Sequence, residues 1–461
     1  MFDFYFFVKF MIEIVNFSKF KASVSTFLFC TVFLFYTGQQ EGYAQELTDS
    51  DSVPEFYNDN FLRYSDFVYK NSIKTVKIHR EGWDLSHPII ELNGEDKILL
   101  SFDDLRAEIA DFSYKLVHCN SRWEPSDLMS SEFIEGFEEN QIEDYELSFN
   151  TFQKYTHHWL TIPNENIKAT ISGNYIIKVY EDFDEENLVL SRRFMITENN
   201  VNIEAEVKQS SIIDLRKSHQ EIDFKIRPGI SLSDPYSEIQ VVLMQNGRWD
   251  NKIDNLKPLF IKDNLLIYDY DEDNSFAAGS EFRYFDIKSV RYQSDRIKSI
   301  LFKKPFYHVD LLEDHKRTFK VYFYNKDING KYFIDIQEAV NKEIEADYVY
   351  VNFTLPFDAP VVNGNLYLFG LLSDWSFSNT NKMKYDYEKK AYTLTMFLKQ
   401  GYYNYEYVLL EDGETAGNVS YIEGSHYETD NDYLILVYLK GINERYDRLL
   451  GIKIINSMKR F

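Results

Sequence analysis

The feature that most constrains the fold is a strict alternation of apolar and polar residues in short runs. Clear examples are SGNYIIKVY at residues 172–180, DYVYVNFTL at residues 347–355 and AYTLTMFL at residues 391–398. In the last run, Tyr392 and Leu394 begin an apolar row that alternates with threonines. A period of two places every second side chain on one face of an extended chain, which is typical of β-strands with one buried face. These alternating runs therefore predict β-strands.

Turn residues separate these runs, and helical periodicity is scarce. Asn-Gly and Asp-Gly pairs, which favour tight turns between strands, occur at Asn93-Gly94, Asn246-Gly247, Asn329-Gly330, Asn363-Gly364 and Asp412-Gly413. A local helical pattern is confined to residues 125–136 and 337–345. The composition also favours strands, because the chain contains 35 Tyr and 38 Phe, and aromatic residues are frequent in strands. We predict an all-β protein of tandem immunoglobulin-like β-sandwich domains in three units.

Polar interruptions suggest where the units begin and end. Residues 45–60 form a polar leader segment, and the Asn-Asn pair at 199 and 200 interrupts the apolar pattern. A second charged interruption, NKEIEAD, precedes residue 348. These positions predict an N-terminal β-sandwich at 61–199, a middle β-sandwich at 200–347 and a C-terminal β-sandwich at 348–461.

The N-terminus has the pattern of an export signal. Two lysines precede the uncharged run at residues 22–36, and the small-x-small triplet at 42–44 follows it. We expect residues 1–44 to be a signal peptide cleaved after Ala44, so that the mature protein is periplasmic and does not span a membrane. A transmembrane anchor is the alternative, since the uncharged run approaches the roughly 20 residues needed to span. Both Met1 and Met11 remain candidate start residues.

Charge and cysteine usage narrow the function classes. The formal net charge is −24 without a basic patch, so repulsion argues against binding to nucleic acid. Of the two cysteines, Cys30 lies in the predicted signal peptide and Cys119 remains alone in the mature chain. A lone thiol in an oxidising compartment is usually a buried, small apolar residue.

One stretch, YKLVHCNSRWEPS at residues 114–126, resembles a catalytic or metal site because His118 and Cys119 are adjacent. Neighbouring residues on a strand point to opposite faces, so a Cys–His nucleophilic pair would need a histidine from elsewhere. The same residues are explained by a strand, a turn at 120–122 and an anchoring Trp123. Motifs such as G-x-S-x-G or H-E-x-x-H are absent from the sequence.

Metal-ligand patterns are also incomplete. His157 and His158 are adjacent on a strand-like run and cannot both reach one metal from that strand. Residues 325–330 imitate the start of a calcium loop, but Ile336 stands where a bidentate Glu is required. The alternating aspartates at 269–273 lack the necessary glycine. The sequence therefore predicts no catalytic residue, metal ligand or cofactor site, and it leaves the partner-binding surface unknown.

Several long runs resemble one family in order along the chain. They include YKLVHCNSRWEPSDL, DYELSFNTFQKYTHHWLTIPNE, IEADYVYVNFTLPF, YLFGLLSDW and EGSHYETDNDYLILVYLKG. These runs resemble the plug family of the type IX secretion system of Bacteroidota, across essentially the whole mature chain. The resemblance implies a non-catalytic periplasmic protein without a cofactor. It implies one protein partner, the outer-membrane translocon β-barrel, whose periplasmic mouth the family closes when no cargo is engaged.

The C-terminal unit is also similar to glycogen-binding-type carbohydrate modules. Trp375 matches a sugar-stacking tryptophan of those modules, but Glu406 stands where they have a lysine. The second stacking tryptophan is replaced by Glu414 and Thr415. We expect a sandwich that has lost its sugar site, and a cell-envelope carbohydrate-binding protein is the alternative function. An enzyme using His118 and Cys119 and a secreted cargo protein are more distant alternatives.

Overall fold

The computed structural model describes residues 61–441 and 444–458. The predicted signal peptide at 1–44 and the leader at 45–60 lie outside the described residues, as does Cys30.

The first sandwich contains the strands of residues 67–197. They are β1 (Phe67–Val68), β2 (Ile73–Arg80), β3 (Ile89–Glu91), β4 (Ile98–Asp104), β5 (Phe112–Cys119), β6 (Ile134–Gly136), β7 (Asn140–Gln141), β8 (Asp144–Leu147), β9 (Thr156–Ile162), β10 (Ile167–Ala169), β11 (Gly173–Glu181) and β12 (Leu188–Thr197). One sheet has the order β1-β12-β11-β5-β7 with β3 beside β12, and the other has the order β2-β4-β9-β8. A short ribbon pairs β6 with β10. The two sheets share one apolar core, to which Phe102 and Ile177 contribute.

The remaining strands lie in residues 201–456. They are β13 (Val201–Gln209), β14 (His219–Pro228), β15 (Ile239–Gln245), β16 (Phe260–Lys262), β17 (Leu265–Tyr268), β18 (Ser275–Ala277), β19 (Arg283–Asp286), β20 (Ile297–Lys303), β21 (Phe306–Leu311), β22 (Tyr332–Ile334), β23 (Tyr348–Pro356), β24 (Gly364–Phe369), β25 (Lys384–Asp386), β26 (Ala391–Lys399), β27 (Gly401–Glu411), β28 (Asp432–Leu439) and β29 (Arg448–Asn456). They form two further sandwiches, so the prediction of an all-β, sandwich-type fold is confirmed.

Sheet pairing does not follow the boundary predicted at residues 347 and 348. The second sandwich packs the sheet β13-β14-β17-β16, with β18 beside β14, against the sheet β15-β28-β29. The third packs β19-β27-β22, with β24 beside β27, against β20-β21-β23-β26-β25. Strands from both sides of the boundary therefore share three sheets. The chain leaves the second sandwich after β18, builds the third, and returns to add β28 and β29.

The sheet β15-β28-β29 is covered on both faces. Val241 and Leu243 point into the core of the second sandwich, while Val242 and Met244 pack toward the first sandwich. A strand with two buried faces has no polar side, which explains the continuous apolar runs QVVLMQ and DYLILVYL. Period-two alternation disappears where one sandwich meets another.

The α-helices in the described residues are single turns. They are α1 (Ser130–Phe133), α2 (Pro235–Glu238), α3 (Lys342–Glu345) and α4 (Ser420–Glu423). The first and third lie within the two segments for which the sequence predicts helix. Nowhere in 61–441 or 444–458 is there a helix with the length and apolarity that crossing a membrane requires.

Candidate functional site

His118 is buried in the first sandwich and is held by neutral hydrogen-bond partners. Its Nδ1 lies 3.0 Å from the Ser126 hydroxyl, and its Nε2 lies 3.3 Å from the Ser172 carbonyl oxygen. Tyr175 and Tyr446 pack their rings edge-on against the imidazole. Burial lowers the pKa of His118 to about 4, so the ring is neutral at pH 7. This histidine is a core residue with both nitrogens engaged.

Cys119 lies on the opposite face of β5, fully buried in the apolar cluster between the first and second sandwiches. Burial raises the pKa of the thiol to about 12. Reactive cysteines have lowered pKa values and partial exposure, so this thiol lacks both properties of a nucleophile. His118 and Cys119 diverge, and each packs into a different core.

We expect Cys119 to resist alkylation in the native protein. Iodoacetamide at pH 8 should modify it only after unfolding, because the thiol is buried and protonated at that pH. Cys119→Ala should retain partner binding and lower the free energy of unfolding by about 1–3 kcal/mol. Mass spectrometry of the native and unfolded protein provides the measurement. Rapid modification of the native protein would contradict the structural role.

The turn after β5 joins the first sandwich to the second. The Ser121 backbone N–H and hydroxyl donate to Asp447 Oδ2 at 2.9 and 2.7 Å. Trp123, buried and with a φ of 67°, meets Trp249 edge-to-face at a centroid distance of 5.4 Å. The guanidinium of Arg193 lies 4.5 Å from the ring centroid of Trp123 and 4.8 Å from that of Trp249. We call these five residues the first joint.

A second joint, between the first and third sandwiches, centres on the buried carboxylate of Asp103 in β4. His157 Nδ1 lies 2.6 Å from Asp103 Oδ1. From the third sandwich, Tyr348 OH and Lys399 Nζ each donate to Asp103 Oδ2 at 2.7 Å. Tyr155 completes the joint, with its ring 4.2 Å from the ammonium of Lys399. One carboxylate thus receives groups from both sandwiches.

The charge of Asp103 is maintained by its partners. Burial alone would raise its pKa, but the Lys399 ammonium and the His157 hydrogen bond outweigh this effect and lower the pKa below its ordinary value. Removing one member of such a buried pair leaves an uncompensated charge, which is strongly destabilising. The Asp103 network therefore fixes the first and third sandwiches against each other.

Sequence reasoning missed this network, although the strand ILLSFDD carries a signal. Asp103 follows Phe102 in a strand that begins with three apolar residues, where a buried charged residue requires a partner. His157, treated above as a possible metal ligand, is one partner, while His158 lies on the opposite face against Phe102 and Phe112. The distant partner Lys399 has no local signal, because 296 residues separate it from Asp103.

The incomplete calcium patterns have structural roles. Asn329 and Gly330 both have positive φ in the tight turn closed by the hydrogen bond from Lys331 N to Ile328 O. Asp269 approaches Glu221 and Asp223 in the one group of at least three potential metal ligands found among the described residues. The ammonium of Lys208 lies among these three carboxylates, 3.0 Å from Glu221 Oε1 and 3.6 Å from Asp269 Oδ1. A lysine already neutralises part of the cluster.

The residues expected for sugar binding contact protein groups instead. The half-buried Trp375 packs against Phe369 and Phe282, and a Cβ added to Gly330 would lie 2.3 Å from its ring. Glu406 is buried and accepts from Arg248 NH1 at 3.3 Å. Arg248 follows β15 of the second sandwich, so this ion pair joins the second sandwich to the third. Glu406 is thus part of the contact between two sandwiches, and Trp375 packs within the third sandwich.

We expect the purified protein to have no useful affinity for α-glucans. One half-buried aromatic ring supplies about 1 kcal/mol of stacking, too little to retain a sugar without the lysine and the second tryptophan. Affinity electrophoresis in a gel containing glycogen should therefore show wild-type mobility equal to that of Trp375→Ala. Retardation of wild type that Trp375→Ala abolishes would restore the carbohydrate-binding alternative.

Comparison with known proteins identifies the family of this chain. The structure resembles the crystal structure of a hypothetical protein from Parabacteroides merdae ATCC 43184, with a TM-score of 0.84 and 34% sequence identity over 86% of this chain and 100% of that chain. Residues 73–198, the body of the first sandwich, match the family described as "Type 9 secretion system plug protein 1st domain". The chain belongs to the type 9 secretion system plug protein family. No curated protein matches it.

The range matched by the family contains residues of both joints. The matched range 73–198 includes Asp103 of the second joint and Trp123 of the first. It therefore carries surfaces that join it to both other sandwiches. Membership implies a periplasmic, envelope-associated protein that interacts with secretion machinery.

Proposed function

We propose that this chain is a non-catalytic periplasmic plug that closes the periplasmic mouth of the type IX outer-membrane translocon barrel while no cargo is engaged. The family match carries the proposal. The residues that most resembled a catalytic pair, His118 and Cys119, support it because both are buried in cores. Trp375 and Glu406 give no support to the carbohydrate-binding alternative, because both are engaged by protein groups.

The way the sandwiches are joined also suits a plug. A protein that blocks a channel must not deform at the contacts between its domains. The first joint combines two stacked indoles and a guanidinium with hydrogen bonds to Asp447, and the second contains a buried, hydrogen-bonded charge pair. The described residues, 61–441 and 444–458, group into a single compact unit. Three sandwiches fixed in this way provide a bulky, rigid obstruction, and an interface of at least roughly 1,000 Å² with the barrel would hold it in place.

Conductance of the purified translocon tests the proposal. Reconstituted in a planar bilayer without this protein, the translocon is expected to conduct ions steadily. Addition of the mature protein on the periplasmic side should reduce the conductance, and a translocon with cargo engaged should be insensitive. The unrelated protein serum albumin at the same concentration is the control for nonspecific blocking. Unchanged conductance, with the protein shown to be bound, would rule out the plug role.

A further inference from the structure

Residues 319–325, which we call the exposed edge, present a row of apolar side chains to solvent. Phe319, Val321 and Phe323 are 99%, 91% and 81% exposed. Phe319 lies in the turn closed by the hydrogen bond from Lys320 N to Arg317 O, and Val321 and Phe323 follow it at intervals of two residues, so the three exposed side chains lie close together along the segment. Tyr322, between them, points inward, and its hydroxyl donates to the Glu428 carbonyl oxygen at 3.1 Å. Contiguous exposed apolar surface of this kind usually marks an interaction site.

The main chain of the exposed edge is also open. From Val321 to Asp327, no backbone N–H or C=O has a hydrogen-bond partner among the described residues. This stretch belongs to no sheet in that part of the chain. Unpaired backbone donors and acceptors along a solvent-exposed segment are available to pair with another strand.

Contacts at both ends hold the exposed edge in place. Before it, Arg317 Nε donates to Glu423 Oε2 at 2.6 Å, and Thr318 Oγ1 donates to the Tyr421 carbonyl oxygen at 2.8 Å. After it, the Ile328 backbone N–H donates to Asn404 Oδ1 at 2.7 Å. The segment is therefore positioned without a neighbouring strand, which reduces the entropy lost when one binds.

Charge indicates the chemistry of the occupant. Lys320, between Phe319 and Val321, and Lys326, beyond Phe323, are exposed, and neither makes an ion pair with a described residue. A second copy of this chain is disfavoured, because antiparallel pairing centred on Phe323 places Lys320 of each copy opposite Lys326 of the other. It also brings together two proteins of net charge −24. A strand with apolar side chains at alternate positions and carboxylates near its ends is complementary.

We propose that the exposed edge is a strand-addition site that takes an extended segment of the translocon, with alternating apolar side chains and acidic residues facing Lys320 and Lys326. The identity of the partner rests on the proposed function. The mode of binding rests on the apolar row, the open main chain and the two lysines. On binding, backbone hydrogen bonds form along the edge, and the row becomes buried against the partner.

Binding of wild type and two double variants to purified translocon tests this inference. Phe319→Ser with Phe323→Ser removes the apolar row and should weaken binding about 100-fold, on the order of tenfold for each buried phenylalanine. Val340→Ser with Val362→Ser removes exposed apolar side chains outside the edge and should leave affinity unchanged. All three proteins should unfold at the same temperature, because none of the four side chains is buried. In the wild-type complex, backbone amides between 321 and 327 should exchange hydrogen at least about tenfold more slowly than in the free protein.

The outcomes separate the inference from the proposed function. If wild type binds and the Phe319/Phe323 variant binds equally well, the strand-addition site is refuted while the plug role stands. Complex formation without slower exchange at residues 321–327 likewise refutes it. Absence of any wild-type binding to the translocon would contradict the proposed function, and the inference with it.

Discussion

Asp103→Ala is expected to lower the free energy of unfolding by about 3–5 kcal/mol, because it leaves the buried ammonium of Lys399 without its carboxylate. Tyr348 and His157 lose a hydrogen-bond partner in the same change. The network joins the first and third sandwiches, so the loss should also loosen their contact. Urea denaturation of the mature protein, followed by tryptophan fluorescence, measures the change.

Two further variants show whether unpaired charge is the cause. The double variant Asp103→Ala with Lys399→Met removes both charges and should recover most of the lost stability. Lys298→Ala breaks the exposed ion pair with Glu313, whose closest atoms are 3.6 Å apart, and should cost no more than about 0.5 kcal/mol. If the double variant is no more stable than Asp103→Ala, the buried pair does not explain the loss.

Trp123→Ala is expected to lower the free energy of unfolding by about 3–5 kcal/mol. The indole fills the first joint, between Trp249 and the guanidinium of Arg193, and its removal leaves a cavity between two sandwiches. Part of the loss comes from Arg193, which is half-buried and loses one of its two aromatic neighbours. Thermal and urea unfolding of the variant measure the effect.

The chain offers a matched control for this tryptophan. Trp83 also carries an arginine over its ring, with Arg80 at 4.6 Å, but its side chain is exposed. Trp83→Ala should therefore cost less than about 1 kcal/mol. Equal losses for the two variants would mean that the stacked arginine, and not burial in the joint, determines the stability.

Local sequence patterns predicted where many of the strands lie, but not which strands pair with each other. The alternating runs at 172–180, 347–355 and 391–398 correspond to β11, β23 and β26. Burial alternates along β23, as one buried face requires, whereas β11 is buried along almost its whole length. The return of β28 to pair with β15 has no local signal, since residues 239–245 and 432–439 are almost two hundred positions apart. Their continuous apolar runs indicate two buried faces but not which strand lies beside which.

The stretch at 114–126 shows that local sequence also fails to predict contacts between sandwiches. The sequence indicated a strand, a turn and an anchoring Trp123, and the structure places the residues in these roles. It did not indicate that the turn is a joint, because Asp447 and Trp249 come from the second sandwich. The sequence of the exposed edge at 319–325 alternates apolar residues as a half-buried strand does, and only the structure reveals that Phe319, Val321 and Phe323 are exposed to solvent. Which side of a strand is covered depends on distant residues.

Entry of vancomycin into cells that lack this protein tests the plug role most directly. This antibiotic is too large to cross an intact outer membrane, and it should enter through translocons left open. The plug role predicts that deletion raises vancomycin sensitivity, that expression of the wild-type protein restores resistance, and that secretion continues, because a plug does not drive transport. Immunoblotting must show normal amounts of translocon and its other subunits in the same cells. Unchanged sensitivity with translocons present and unplugged would contradict the account.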